Sequence, residues 1–158
     1  MKKVNIPHFG LLEIKNIIFD INGTIQFNGK TSNKLIEKFR ELKQHYTIFL
    51  ISSDTRGNLN ELAKELDTKY IRINTGIQTD AEAKNKELLK LGKENTAAIG
   101  NGNNDMLMLK NAALGILIIG SEGASSKSLM NADVIFTNPI DAINFLLDEK
   151  AIIATLRG

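Results

Sequence analysis

Apolar residues recur along this chain in two alternating rhythms. Short continuous runs have the length of buried strands: KNIIFD at 15–20, TIFLI at 47–51, residues 70–73 and 96–99, LGILII at 114–119, and residues 134–136. Between them the spacing widens to that of helices. Leu35, Ile36, Phe39 and Leu42 form one apolar stripe over 33–44, and Leu59, Leu62, Ala63 and Leu66 form a second. Residues 80–91 predict a third helix, and Met106, Leu107 and Leu109 a fourth. The last carries Ile143, Leu146 and Leu147 and opens at Asn138, a favoured N-cap, followed by Pro139, whose ring suits the first helical position. Residues 4–14, with a Pro and a Gly between apolar positions, predict a hairpin or extra edge strand, and 151–157 is an apolar tail to which the pattern assigns no role.

Strands alternating with helices through short connections predict an α/β fold. The expectation is a single Rossmann-like domain over residues 1–158, with its core at about 15–147: a parallel sheet covered by helices on both faces. Crossovers in such a sheet are right-handed, and ligands sit beyond the carboxyl ends of the strands where strand order reverses. The residues just after each strand are therefore the candidates for chemistry.

Composition narrows the field. The hydrophobic share of 42% and charged share of 24% are those of a soluble globular domain. A formal net charge of +2, with Lys and Arg scattered, predicts no nucleic-acid partner. No stretch approaches the roughly 20 apolar residues of a membrane span, and no apolar run follows the basic N-terminus, so the expectation is a cytoplasmic protein without a membrane partner. Absence of cysteine excludes disulfides, thiolate metal sites and a thiol nucleophile.

After the first core strand come Asp20, Asn22, Gly23 and Thr24, and after the second Ser52, Ser53 and Asp54. Lys84 lies in AEAK, in the helix that follows the third. After the fourth comes GNGNND, with Asn101 and Asp105. One sheet edge thus collects carboxylates, hydroxyls, an ammonium and Gly-rich backbone, the inventory that phosphoryl transfer needs to position a phosphate and neutralise its oxygens. Asp20 is a candidate nucleophile on phosphorus, and Gly23 allows close backbone approach to an anion. Either Ser52 or Ser53 can hold a phosphate oxygen. Lys84 is the candidate cation, with Lys86 and Lys90 nearby, and is expected to face the cleft, so that its removal spares the fold. Asp20 and Asp105 are hard oxygen ligands suited to Mg²⁺. Asp54 reads as a cap or loop residue, His8 and His45 as surface or edge residues, and Tyr46 and Tyr70 as packing. GNGNND is no dinucleotide fingerprint, because Asp105 occupies its third glycine position and would repel a pyrophosphate.

IIFDINGT resembles the first motif of the haloacid dehalogenase superfamily, in which an Asp followed by x-x-Gly-Thr is the phosphorylated nucleophile. FLISSDT is similar to that superfamily's second motif, and AEAK and GNGNNDMLML resemble the lysine and hinge motifs of P-type ATPases. The match is nearest to the small soluble P-type ATPase-like phosphatases, which lack a cap domain, and covers about residues 15–147. The resemblance implies Asp20 as nucleophile and Mg²⁺ ligand, the Asn22 carbonyl as a second ligand, Ser52 as the phosphate-binding hydroxyl and Lys84 as the charge clamp. It implies that Asp105 and position 101 serve the metal, and that Asn22, Gly23, Thr24 and Ser53 line the phosphate. Two positions depart from the pattern. Asn22 stands where most phosphatases of the superfamily carry an acid/base Asp, and Asn101 where they carry a metal-binding Asp; an amide keeps a carbonyl oxygen and loses the charge.

Two functions follow as expectations. The first is a Mg²⁺-dependent phosphohydrolase working slowly through an aspartyl-phosphate on a phosphorylated substrate. The second is a non-hydrolytic module that binds phosphate or carries a phosphoryl group. The short segments after Asp20 and between Ile73 and Lys84 leave no room for a cap domain, so the site is expected to be open, or covered by another subunit of a homo-oligomer.

Overall fold

The computed structural model describes residues 2–53, 57–74 and 76–158. An antiparallel hairpin comes first, β1 (Lys2–Ile6) with β2 (Gly10–Ile14), followed by the strand that carries Asp20, β3 (Asn16–Asp20). Then come α1 (Asn33–Leu42), β4 (Thr47–Ser52), α2 (Leu59–Leu66), β5 (Lys69–Arg72), α3 (Asp80–Leu91), β6 (Thr96–Gly100), α4 (Met106–Asn111) and β7 (Leu114–Ile118). The chain closes with α5 (Ser126–Leu129), β8 (Val134–Phe136), α6 (Pro139–Leu147) and α7 (Glu149–Leu156). Strands β3 to β8 form one parallel sheet in the order β5-β4-β3-β6-β7-β8.

The sheet is buried on both faces because its central strands are apolar at successive positions. On β3, Ile17 and Phe19 enter one core with α1, α2, α6 and the hairpin, while Ile18 enters the other with α3 and α4. Successive side chains leave a strand on opposite faces, so a continuous apolar run requires two helical layers. Phe19 meets Phe39 of α1 with ring centroids 4.8 Å apart. The expected cap is present: Asn138 accepts the Asp141 amide at 3.0 Å, with Pro139 opening α6.

The segment 4–14 is a hairpin apart from the main sheet, its alternate residues Val4, Ile6, Leu12 and Ile14 buried against the core. The apolar tail is α7, which buries Ile152. Sequence periodicity did not predict α5, a single turn too short to carry a repeat. Tyr46 is packed, its hydroxyl donating to the Leu146 carbonyl at 2.8 Å. Tyr70 is 45% exposed on edge strand β5, which has no outer neighbour among the described residues. No described helix is long and apolar enough to cross a membrane.

The chain runs outward from β3 through β4 to β5, then returns to place β6 on the other side of β3. Strand order reverses between β3 and β6, so their carboxyl ends part and leave a crevice. Asp20 is the last residue of β3, level with Ile51 of β4, and Phe19 is level with Ile99 of β6. That register puts Gly100 beside Asp20, and Asn101 and Ser52 one residue beyond it.

Candidate active site

Asp20 reaches the crevice on a strand end fixed by core packing on both sides, and is 7% exposed. The loop after it is tightly bonded: the Ile21 carbonyl accepts the amides of Thr24, Ile25 and Gln26, and the Gly23 amide donates to the Gln26 carbonyl at 2.9 Å. The turn requires a positive φ of 76° at Gly23, where a Cβ would lie 2.3 Å from Asn101 Nδ2 and 2.9 Å from Glu122 Oε2. Only glycine gives both the conformation and the space. The turn also aims Thr24, fully buried, whose hydroxyl oxygen is 3.2 Å from both Asp20 Oδ2 and Asn101 Oδ1.

Lys84 arrives from α3, whose start is set by a reciprocal cap: the Glu82 amide donates to Thr79 Oγ1 at 3.3 Å and the Thr79 amide to Glu82 Oε2 at 2.9 Å. The spacing Thr79-x-x-Glu82 is a recognisable cap signal that motif-based reading passed over. From there Lys84 Nζ reaches Asp20 Oδ1 and Asp105 Oδ1, each at 2.6 Å. Lys86 and Lys90 are exposed, so of the three candidate lysines the fold brings Lys84 to Asp20.

Asp105 is fully enclosed, and its second oxygen accepts the Asn101 and Gly102 amides, each at 2.9 Å. Gly100 permits this, since a Cβ there would lie 2.5 Å from Asp105 Cγ. Helix α5 holds the same loop from outside: Ser128 Oγ donates to the Gly102 carbonyl at 2.5 Å and the Ser125 amide to the Asn101 carbonyl at 2.8 Å. Ser52 and Ser53 are half-buried at the end of β4, Asn22 is exposed, and Asp54 lies outside the described residues. Sequence reasoning missed Glu122, which the turn after β7 carries to Gly23; no motif marks it.

Burial, and then the Asp105 charge, push the Asp20 carboxyl up to about 6, against the opposing pull of Lys84. For Lys84, burial favours the neutral amine, but Asp20 and Asp105 together outweigh it and hold the ammonium above its ordinary range. At neutral pH the group is therefore two carboxylates around one cation, with one net negative charge.

Two features suit this site to a hard divalent cation. Asp20 Oδ2 and Asn101 Oδ1 converge on a single Thr24 hydroxyl, whose one proton cannot satisfy both at once. The Asn22 carbonyl accepts no backbone hydrogen bond from the described residues. Three oxygens with spare acceptor capacity, and no sulfur or imidazole, are a donor set for Mg²⁺. Among the described residues no group of three or more acidic, His or Cys side chains is placed to hold a metal, so a metal here would also need carbonyl oxygens or water.

Solved structures with this fold include phosphatases and haloacid dehalogenase-like hydrolases. The 3-deoxy-D-manno-octulosonate 8-phosphate phosphatase of Moraxella catarrhalis, solved with magnesium, phosphate and the KDO molecule, superposes with a TM-score of 0.71 at 19% identity, over 91% of this chain and 94% of its own. The cobalt-bound deoxy-D-mannose-octulosonate 8-phosphate phosphatase of Haemophilus influenzae gives 0.66 at 13% identity, over 91% and 90%. A haloacid dehalogenase-like hydrolase of Bacteroides thetaiotaomicron gives 0.66 at 14%, over 85% and 100%. The chain belongs to the family of the uncharacterized protein MJ0073 of Methanocaldococcus jannaschii, to which it is 51% identical over 79 residues, 48% of this chain and 85% of that one. No protein-family model matches the chain.

Proposed function

We propose that the protein is a Mg²⁺-dependent phosphohydrolase in which Asp20 is the nucleophile. The observation that carries this reading is the pairing of Lys84 with both Asp20 and Asp105 at 2.6 Å in the crevice at the switch point. A carboxylate that titrates at about 6 is ionised at neutral pH, and its lone pair can attack phosphorus. The Asp20 O–P bond forms as the bond to the leaving oxygen breaks, giving an aspartyl-phosphate. Water then attacks phosphorus, phosphate departs and the carboxylate is restored. Lys84 offsets charge on the nucleophile and the phosphoryl oxygens together, and Ser52 or Ser53 binds a further oxygen. Thr24 holds the attacking carboxylate in place.

Asp20, the Asn22 carbonyl and Asn101 would hold the Mg²⁺, with Asp105, its oxygens already engaged, contributing charge from behind. When bound, the ion supplies charge neutralisation for the phosphoryl oxygens. Asn22 has no titratable proton to give the leaving group or take from water, so substrates with good leaving groups are favoured and the phosphoenzyme is long-lived. P-type ATPases, which the chain resembles, also lack a carboxylate at the position of Asn22 and have a longer-lived phosphoenzyme, which supports the same reading. The connection at 21–32 leaves the crevice without a cap domain, which suits a large phosphorylated substrate or cover from a second subunit. The test is hydrolysis of an activated aryl phosphate with and without Mg²⁺, beside Asp20→Asn. Activity in wild type that the variant and chelation both remove is expected; turnover that survives Asp20→Asn overturns the assignment.

A further inference from the structure

The segment between β7 and α5 folds back onto the loop after β3. The Gly123 amide donates to the Gly120 carbonyl at 2.9 Å, closing a tight turn. A Cβ on Gly120 would lie 2.3 Å from Phe27 Cε1 and 3.3 Å from the Gly23 carbonyl oxygen, so the turn is seated on the Asp20 loop as closely as backbone allows. Glu122 lies within this turn. Its Oε2 and the Asn101 Nδ2 are 2.9 and 2.3 Å from the same point, the place a Cβ would take on Gly23. Asn101 turns its carbonyl oxygen to Thr24, leaving its amide nitrogen on the side of Glu122.

The sign of the charge decides what this carboxylate is for. Beside a bound phosphate it would repel; beside a divalent cation it attracts. Asp20 and Asp105 around Lys84 leave a single negative charge, and Glu122 makes it two, which strengthens the attraction for a divalent cation. Among the described residues no lysine or arginine forms a salt bridge with Glu122. An aspartate at 101 would set two carboxylates around one point, whereas an amide accepts the neighbour.

We propose that Glu122 supplies, from the turn after β7, the negative charge that Asn101 leaves out of the metal site. The two positions act as a pair, with the oxygen ligand on one and the charge on the other. This rests on Mg²⁺ binding at the Asp20 crevice, and the experiment separates the two ideas. Isothermal titration with MgCl₂ compares wild type, Asp20→Asn, Glu122→Gln, Asn101→Asp and the double variant Glu122→Gln/Asn101→Asp. Glu122 is exposed, and metal-free melting temperatures are expected to match between wild type and Glu122→Gln.

Partners just outside a metal's ligands are typically worth about 10-fold to 100-fold in affinity, so Glu122→Gln is expected to weaken Mg²⁺ binding by at least roughly 10-fold. Asn101→Asp is expected to strengthen binding more in the Glu122→Gln background than in wild type, the coupling of a pair that shares one task. Equal Mg²⁺ affinity in wild type and Glu122→Gln, with binding lost in Asp20→Asn, overturns the role of Glu122 and leaves the crevice as the metal site. A wild type that binds no Mg²⁺ overturns both.

Discussion

Lys84 Nζ lies 2.6 Å from Asp20 Oδ1 at the carboxyl end of the central strand β3, with the lysine only 1% exposed. The lysine is thus enclosed between two carboxylates rather than free in an open cleft, so its removal is expected to cost stability, where the sequence led to the expectation of a fold left intact.

Replacing Lys84 by Met leaves Asp20 and Asp105 buried without their shared cation. Breaking a buried pair by removing one partner typically costs about 3–5 kcal/mol. A urea unfolding curve is expected to show a loss of that size for Lys84→Met, while Lys86→Met, on the exposed face of α3, stays within about 0.5 kcal/mol of wild type. A Lys84→Met variant as stable as wild type would mean that the two carboxylates find other compensation. Because the lysine's pKa is raised, its stabilisation is fully present below 10.5 and is lost as pH rises through the higher folded value.

Asp20 works in the opposite direction. Its folded-state pKa, about 6, lies above the ordinary 3.8, so between those values the native state binds more protons than the unfolded state. Metal-free protein is therefore expected to lose stability as pH rises from 3.8 to about 6, by on the order of 2–3 kcal/mol. Asp20→Asn removes this slope and is expected to be the more stable protein at pH 7. Thermal melts in chelator across that range check it; a wild-type slope that persists in Asp20→Asn assigns the titration to another group. Mg²⁺ competes with the proton for the same carboxylate, so its affinity is expected to rise up to about pH 6 and level off above it.

Asn22 lies next but one to Asp20, the proposed nucleophile, and is exposed. Wild type exposed to an activated phosphoryl donor and Mg²⁺ is expected to accumulate phosphorylated Asp20. Asn22→Asp introduces an acid/base and is expected to shorten the life of that intermediate by roughly 10²-fold or more. Intact-protein mass spectrometry over a quench time course reads both. Unchanged lifetimes in the two proteins would show that the base comes from elsewhere.

Much of this site was legible before the fold. INGT, AEAK and GNGNND each lie beyond a strand-like run, and alternating strands and helices bring strand ends to one edge. What spacing could not separate were residues of equal chemistry: Lys84 from Lys86 and Lys90, or Asp105 as a ligand from Asp105 as the brace of its own loop. Those distinctions depend on helix phase and burial. The reciprocal cap between Thr79 and Glu82 sets the first, and the bonds from Lys84 and the Asn101 and Gly102 amides reveal the second.

By itself the sequence determined the parallel α/β sheet and Asp20 at the end of its first core strand, because hydrophobic period and turn chemistry are local properties. Only the tertiary structure decided that Lys84 is buried between two carboxylates, that the Thr24 hydroxyl lies against both Asp20 and Asn101, and that Glu122 reaches the Gly23 turn. The contacts of Lys84 with Asp20, of Thr24 with Asn101 and of Glu122 with the Gly23 turn join segments far apart in sequence, and the order of strands, with β6 returning to the far side of β3, fixes which ends meet. That order follows from how the whole set of apolar faces is buried at once, which no single segment encodes.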